Sequence, residues 1–328
     1  MKSNLKRLRR GPFAPIGGAR CKDLASTRHT SENDAVMPVI DAHVHLYPPE
    51  LNAAPQAWAG ANDEPHWAVL CTRRRRDGRP VQAFPDVATL LRDLDRAGID
   101  RAVLLGWYWE KPATCAWQNR FFAACVRDHP DRLAAFATLH PGAGLAPVLA
   151  ELRRSHGEGL IGVGELSPHS QGYAVDDPVF AAVLETAAEL RMPVNLHVSD
   201  PAGRAYPGRI ETPLGDFVRL AQRLPHTTFI LAHWGGLLPL VAKGTVLPRN
   251  VYFDTAASPL LYDAGIWPRV LPRAGADRVL FGSDYPLELY PRGSEENGLG
   301  RFVAEARAGG AGAGVMGENA AALLGRRE

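Results

Sequence analysis

The 328-residue chain is poor in cysteine, nearly balanced in charge and without long apolar runs, and each of these shortages removes a class of protein. Its four cysteines, Cys21, Cys71, Cys115 and Cys125, are scattered and form no Cys-x-x-Cys pair, which argues against a disulfide framework and predicts a reducing compartment. Arg, Asp, Pro or Gly interrupts every hydrophobic stretch well short of the roughly 18 to 20 residues that a membrane helix needs, so a soluble protein with no membrane contact is expected. The net charge is +2, and apart from Arg73–Arg76 no basic cluster carries the interleaved aromatics of a nucleic-acid surface, so no nucleic-acid partner is expected. Met1–Arg10 is basic, but Gly, Pro and Ser follow where a secretory signal would have an apolar core and a cleavage site. The expected location is the cytoplasm.

With 46% hydrophobic and 22% charged residues, the composition is that of a globular domain with a real core. The length fits two ordinary domains or one large α/β barrel, so the domain count has to come from pattern. Residues 1–36 carry eight basic side chains against three acidic ones and show little hydrophobic periodicity. They read as a flexible basic tail, or as the product of a start codon assigned too early, ahead of one domain over residues 37–328.

Beyond Met37 a short aliphatic or β-branched run, a polar or Gly-rich turn and a helically spaced stretch alternate repeatedly. The strand readings are Pro38–His45, Arg101–Trp107, Leu133–His140, Leu160–Leu166, Pro193–Val198, Thr227–His233, Asn250–Thr255 and Arg278–Asp284. The helix readings are Asp86–Ala97, Ala116–Asp128, Ala146–Ser155, Asp177–Leu190, Pro213–Leu224, Leu238–Leu247, Leu260–Arg273 and Glu295–Ala308. Pro178 and Pro213 at helix starts, and Gly98 and Gly275 past helix ends, suit this punctuation. Eight alternations predict a (β/α)8 TIM barrel, because parallel strands need helical crossovers and apolar strands need cover on both faces. A doubly wound open sheet is the competitor. Against it, His43, His45, Glu165, His197, His233 and Asp284 all stand at the carboxyl ends of strands far apart in sequence, and only a closed barrel brings all those ends to one mouth.

In "VIDAHVHLY", His43 and His45 are at i and i+2, so on a strand they project to one face and can grip one ion. That spacing alone is equally compatible with two buried histidines satisfied by backbone groups. His197 in "PVNLHVSD" and Asp284 in "LFGSDYP" add a third imidazole and a carboxylate, a donor set that suits catalytic Zn²⁺, or Mn²⁺, Fe²⁺ or Co²⁺ in similar geometry.

The motifs "DAHVH", "HPDRLAAFATLHP", "GVGEL", "NLHVSD", "LAHWGG", "DRVLFGSDYP" and "GENAAALLG" together resemble the amidohydrolase superfamily, within it the amidohydrolase-2 branch that includes aminocarboxymuconate-semialdehyde decarboxylase, over about residues 38–327. The resemblance implies that His43, His45, His197 and Asp284 hold one divalent metal ion, with Zn²⁺ first in expectation, and that His233 stands beside the metal-bound water. With such a centre Asp284 is expected to accept the water's proton and return it to the leaving group, and His233 to orient the water or stabilise developing oxyanion charge. Such an ion lowers the pKa of bound water to about 7. Glu165 either bridges to a second ion or hydrogen-bonds a ligand from the outside, and one ion is the expectation. Asp254 is expected to support the ligands or to cap the next turn, and Asp41 to pack against backbone amides.

Around this centre, Leu46–Pro85 is an unusually long connection with Trp58, His66 and Trp67, and reads as a lid. Arg73–Arg76 within it read as a solvated face. Trp107, Tyr108 and Trp109 form either a flat substrate wall or packing for the lid. Arg204, Tyr206 and Arg209 follow His197, and one of them is expected to meet a substrate carboxylate. His140 and His169 are further pocket candidates. The leading expectation is a metal-dependent hydrolase of an amide, lactam or lactone of a small molecule. The alternative is a metal-dependent nonoxidative decarboxylase of an unsaturated or aromatic acid, and the reading from another class is a non-catalytic metal- or ligand-binding protein. The resemblance also implies a homodimer.

Overall fold

The computed structural model describes residues 37–242, 247–291 and 298–325. The tail expected over residues 1–36 lies outside the described residues. So do residues 243–246 of the helix expected at Leu238–Leu247 and residues 295–297 of the one expected at Glu295–Ala308.

Eight parallel strands run in chain order: β1 (Ile40–Val44), β2 (Arg101–Leu104), β3 (Leu133–Ala137), β4 (Gly162–Leu166), β5 (Val194–Leu196), β6 (Phe229–Leu231), β7 (Val251–Asp254) and β8 (Val279–Leu280). Each pairs with the next. The ring is drawn together at the β1/β8 seam, where Ala42 N–H donates to the Phe281 carbonyl (2.8 Å), Asp284 N–H to the His43 carbonyl (2.9 Å) and His45 N–H to the Tyr285 carbonyl (2.7 Å). This is a (β/α)8 barrel. The strands are shorter than the apolar runs suggested, because the polar residues at their carboxyl ends leave the ladder. His45 and His197 lie just past the ends of β1 and β5, and His233 and Asp284 farther past the ends of β6 and β8.

Between the strands run Val87–Ala97, Pro112–Asp128, Leu145–Gly157, Pro178–Glu189 and Leu214–Arg223, and Leu299–Ala308 follows β8. Their ends follow from local chemistry. Asp86 accepts from Thr89 N–H and Asp177 from the N–H groups of Val179 and Phe180, while Gly98 closes its helix in the left-handed region. The stretch expected as one helix at Leu260–Arg273 is two, Ser258–Leu261 and Ile266–Ala274, parted at Asp263 and Gly265. Of the helix expected at Leu238–Leu247, Leu238–Val241 is helical among the described residues.

The barrel interior is filled by Ile40, Ala42, Val103, Leu105, Phe136, Ile230 and Leu280, with Ala320 of the closing helix Asn319–Leu324 in the same cluster. A larger apolar layer lies between strands and helices, including Leu90, Leu94, Phe122, Val148 and Phe180. The long β1-to-helix connection is not irregular chain. It forms three short helices, Pro49–Ala53, Pro55–Ala61 and Pro65–Cys71, each opened by a proline whose fixed φ suits the first helical position. They bury a separate aromatic cluster of Tyr47, Leu51, Trp67 and Trp109, with Trp58 stacked on Trp117 at 4.8 Å between centroids. The lid is therefore a packed cap anchored to the residues after β2.

Candidate active site

β1 delivers His43 and His45, both buried. His43 Nδ1 lies 2.9 Å from Asp254 Oδ2 and His45 Nδ1 lies 3.1 Å from the Leu105 carbonyl. A carboxylate and a carbonyl only accept, so each imidazole carries a proton on Nδ1 and turns Nε2 toward the other. The two Nε2 atoms are 3.2 Å apart. Two imidazole nitrogens come this close when a proton on one of them or a cation between them links the pair. Two nitrogens each about 2.1 Å from one ion are separated by roughly 3.0 to 3.4 Å at angles of about 90° to 110°, so the pair fits a shared divalent ion.

Glu165, at the end of β4, is the centre of the cluster. Its Oε2 is 3.6 Å from His45 Nε2 and 4.0 Å from His43 Nε2, and its Oε1 is 3.0 Å from His197 Nδ1 and 3.8 Å from His233 Nε2. Each oxygen thus addresses its own pair of imidazoles, and two sets of candidate metal-binding atoms result: His43, His45 and Glu165, and Glu165, His197 and His233. Asp284 joins the first set through Oδ1, 3.4 Å from His45 Nε2 and 3.9 Å from His43 Nε2. Its Oδ2 is 3.9 Å from His233 Nδ1. His197 meets the cluster through Glu165 and, at 3.3 Å, through His233 Nε2. Burial alone would raise the Glu165 carboxyl, but His197, His43 and His233 hold it well below the usual range. Burial would likewise lower the His43 pKa, but Asp254, Glu165 and Asp284 raise it. His45 is held down, first by burial and then by its neighbour His43. The centre is a set of carboxylates and imidazoles that favours positive charge.

Two of these residues stand on unusual backbone. Asp284 has φ 68°, and His233 opens a left-handed turn that continues through Trp234, Gly235, Gly236 and Leu237. The sequence reading carried the β6 strand straight to His233, whereas the chain leaves the ladder at Leu231 and reverses hand. The glycines explain how. At Gly235 a Cβ would meet the Phe253 ring at 2.8 Å, and at Gly236 it would meet the Ser199 carbonyl at 2.8 Å. Non-glycine residues held at positive φ persist only where surroundings over-determine them, and they gather at functional sites. Here Asp254 Oδ1 accepts His233 N–H at 3.0 Å and Trp234 Nε1–H donates to Ser258 Oγ at 2.8 Å.

Trp107 and Tyr108 wall one side of the cluster. They stack on each other at 4.3 Å, Trp107 lies 5.3 Å from the His45 ring and Tyr108 lies 5.1 Å from the His197 ring. Trp109 instead belongs wholly to the cap packing, its Nε1–H on Gln118 Oε1 at 2.6 Å. The cap reaches the β5 loop through His66, whose Nε2 is 2.9 Å from the Gly208 carbonyl, and through Arg73, whose guanidinium lies 5.1 Å over the Tyr206 ring. The run Arg73–Arg76 is thus no uniform solvated face: Arg73 is half-buried against Tyr206, and half-buried Arg75 donates to the Glu288 carbonyl. Burial raises the Tyr206 pKa against the opposing pull of Arg73 and Arg209, with Asp284 adding to the rise.

The remaining candidates lie elsewhere. Arg204 is exposed. His140 uses Nδ1 to accept Gly142 N–H at 2.9 Å and Nε2 toward the Gln171 carbonyl at 3.1 Å, and His169 pairs with Asp216 at 2.9 Å. Asp41 accepts backbone N–H groups from His43 and Ser283, as its depth on the strand predicted. Sequence reasoning missed Gln118, a helix-interior residue whose amide holds Trp107 N–H, Trp109 Nε1–H and the Leu46 carbonyl, because nothing in a helical pattern marks such a clamp.

The sequence matches the family model described as amidohydrolase over residues 40–326. The chain belongs to the amidohydrolase family. No functionally curated protein matches it. Among solved structures this amidohydrolase is similar to 5-carboxyvanillate decarboxylase from Sphingomonas paucimobilis, at 19% identity and TM-score 0.66 over 88% of this chain and 99% of that one. It is also similar to 2,6-dihydroxybenzoate decarboxylase from Rhizobium, at 18% identity and TM-score 0.60 over 88% and 99%. A third is 5-carboxyvanillate decarboxylase from Novosphingobium aromaticivorans, solved with manganese and 4-hydroxy-3-methoxy-5-nitrobenzoic acid, at 14% identity and TM-score 0.66 over 88% and 96%. At these identities the likeness establishes the shared barrel.

Proposed function

We propose that this amidohydrolase is a metal-dependent nonoxidative decarboxylase of a hydroxylated aromatic or unsaturated carboxylic acid. This reverses the order of the two activities expected from sequence. The observation that carries it is the stacked Trp107–Tyr108 pair set against two of the candidate ligands, His45 and His197, which puts aromatic surface suited to a planar ring beside the ion site. The decarboxylases of similar fold, one of them solved with manganese and a nitrobenzoic acid, support the same reading.

His43, His45, His197 and Asp284 would hold the ion, with Glu165 between them, and when bound it would supply a Lewis acid for the oxygens of the acid substrate. Mn²⁺ joins Zn²⁺ as a first choice, since nitrogen and carboxylate donors accept several first-row ions. The Trp107–Tyr108 stack fixes the ring plane. Arg73, held at Tyr206 above the β5 loop, offers a cation to an anionic group of the substrate. The bond from ring carbon to carboxyl carbon breaks with its electron pair kept on the ring, carbon dioxide leaves, and a proton taken up from water by Asp284 is passed to that carbon. His233 has its Nδ1–H on the Ala256 carbonyl at 3.0 Å, which fixes the ring and turns Nε2 toward His197 and Glu165, where it orients the substrate.

Hydrolysis keeps one specific observation in its favour: each Glu165 oxygen faces a separate imidazole pair, an arrangement suited to two ions and an activated water. Elemental analysis of protein purified without added metal or chelator, followed by a panel of hydroxybenzoates, carboxylated phenols, amides and lactones, separates the readings. Decarboxylation predicts about one ion per chain, carbon dioxide release from an aromatic acid, loss on chelation and return with Mn²⁺. A new acid formed from an amide or lactone, with two ions bound and no carbon dioxide from any acid, would overturn it.

A further inference from the structure

Asp254, the last residue of β7, is fully buried and has no accepting capacity to spare. Its Oδ2 takes His43 Nδ1–H at 2.9 Å and Asn195 Nδ2–H at 3.0 Å. Its Oδ1 takes the backbone N–H of His233 at 3.0 Å and of Ala256 at 3.1 Å. Four donors on two oxygens leave nothing for an ion or a substrate. We propose that Asp254 is a positioning residue that fixes the proton placement of both His43 and His233, and so sets which ring nitrogen each presents to the centre.

The two arms are separate. On one, the carboxylate holds a proton of His43 on Nδ1, and Nε2 faces His45 and Glu165. On the other, the carboxylate holds Ala256 by its N–H, and the Ala256 carbonyl is the acceptor of His233 Nδ1–H at 3.0 Å. The same oxygen grips the His233 amide at the point where the chain enters its left-handed turn. One carboxylate therefore orders a ring directly and a second ring through one peptide.

An amide cannot replace it in either orientation. With its NH2 in the place of Oδ2, Asn at 254 would point a donor at His43 Nδ1 and at the Asn195 amide, and His43 would have to carry its proton on Nε2, against His45. With its NH2 in the place of Oδ1, it would face two backbone N–H groups and release the His233 turn. The buried Asn195 Oδ1 lacks a hydrogen-bond partner, which shows that this amide is turned to serve the carboxylate. Partners of this kind typically account for 10- to 100-fold in metal affinity.

The first arm rests on the metal reading above, and the second does not. The test compares the full-length wild type with Asp254→Asn, and with Asn195→Leu, which removes one of the four donors and leaves both histidine contacts in place. Two readouts are taken: Mn²⁺ affinity by chelator competition, and the protonated nitrogen of each imidazole by NMR of ¹⁵N-histidine-labelled protein loaded with Zn²⁺ or, if no ion binds, without it. In the wild type His43 and His233 should both show Nδ1–H. Asp254→Asn should lose both signatures and weaken Mn²⁺ about 10- to 100-fold, while Asn195→Leu should keep both signatures. If Asp254→Asn does not fold, the wild-type and Asn195→Leu spectra still decide, because a missing Nδ1–H on either histidine overturns the proposal. Unchanged Mn²⁺ affinity in a folded Asp254→Asn overturns it as well. A wild type that binds no divalent ion ends the metal reading and leaves the His233 signature as the remaining test.

Discussion

Gly282 is where the fold and the centre press on each other. It is buried after β8, and a methyl group there would sit 2.8 Å from His43 Cβ, 3.4 Å from His43 N and 3.5 Å from Asp254 Cβ. Ordinary carbon contacts are about 3.5 to 4.0 Å, so something has to move. The backbone on either side is pinned: Gly282 N–H and C=O both bond Thr255 Oγ1, at 3.0 and 2.9 Å, and the seam bonds of Phe281 and Asp284 bracket it. The displaced group in Gly282→Ala is therefore His43. Overpacking a core typically costs about 1 to 3 kcal/mol. Against this, alanine restricts the unfolded chain and returns roughly 0.4 to 1 kcal/mol. A net loss of about 1 to 2 kcal/mol follows, which for a domain of this size lowers the melting temperature by roughly 2 to 6 °C. A shifted His43 also weakens ion binding, and a tenfold loss of affinity removes about 1.4 kcal/mol of ion-linked stabilisation. Thermal unfolding with and without added Mn²⁺ measures both effects. If the variant melts like the wild type and gains as much from the ion, the reasoning from this close approach is wrong.

Replacing the buried clamp by Gln118→Leu strands two donors and one acceptor at about 1 kcal/mol or more each, so guanidinium unfolding should show a loss of roughly 3 kcal/mol; a loss below 1 kcal/mol would contradict the clamp. Burial lifts the Glu64 carboxyl from its ordinary 4.5 to about 7. Between those values the folded chain binds more protons than the unfolded one, so this group's contribution to stability is full below pH 4.5 and is lost as pH rises toward 7. Glu64→Gln should flatten that fall relative to the wild type, and parallel curves of melting temperature against pH would exclude it. Trp107→Leu should raise KM for an aromatic acid about tenfold with a smaller change in kcat, since it removes the wall and none of the proton-transfer groups; a loss confined to kcat would show that Trp107 does not contact the ring.

The alternation of apolar runs with helical spacing was enough to read the barrel, because every strand of a closed parallel sheet is buried on both faces. The centre was legible where chemistry and period coincide: His43 and His45 two apart on a strand, and Glu165, His197, His233 and Asp284 each ending an apolar run. The position of Glu165 between all the imidazoles was not, since strand ends reveal their register around a barrel only when it closes. The cap was legible as a long insertion but not as helices, although Pro49, Pro55 and Pro65 each mark a first turn. The left-handed turn at His233 escaped because two glycines after a tryptophan announce flexibility without announcing hand. Arg73 escaped because a run of four arginines looks uniform, and only the fold separates the one lying over Tyr206.

The seam between β1 and β8 has a consequence for how the protein is made. The groups that meet there, His43 and His45 near one end of the barrel sequence and Asp284 near the other, come together only when the ring shuts, and contacts so distant along the chain are slow to form. A growing polypeptide that has exposed seven strands already carries every imidazole of the cluster but lacks Asp284 and the bonds that tie it to His43. On the metal reading, uptake of an ion then becomes a late event in synthesis, and a truncated product carries an open sheet edge in place of a finished centre.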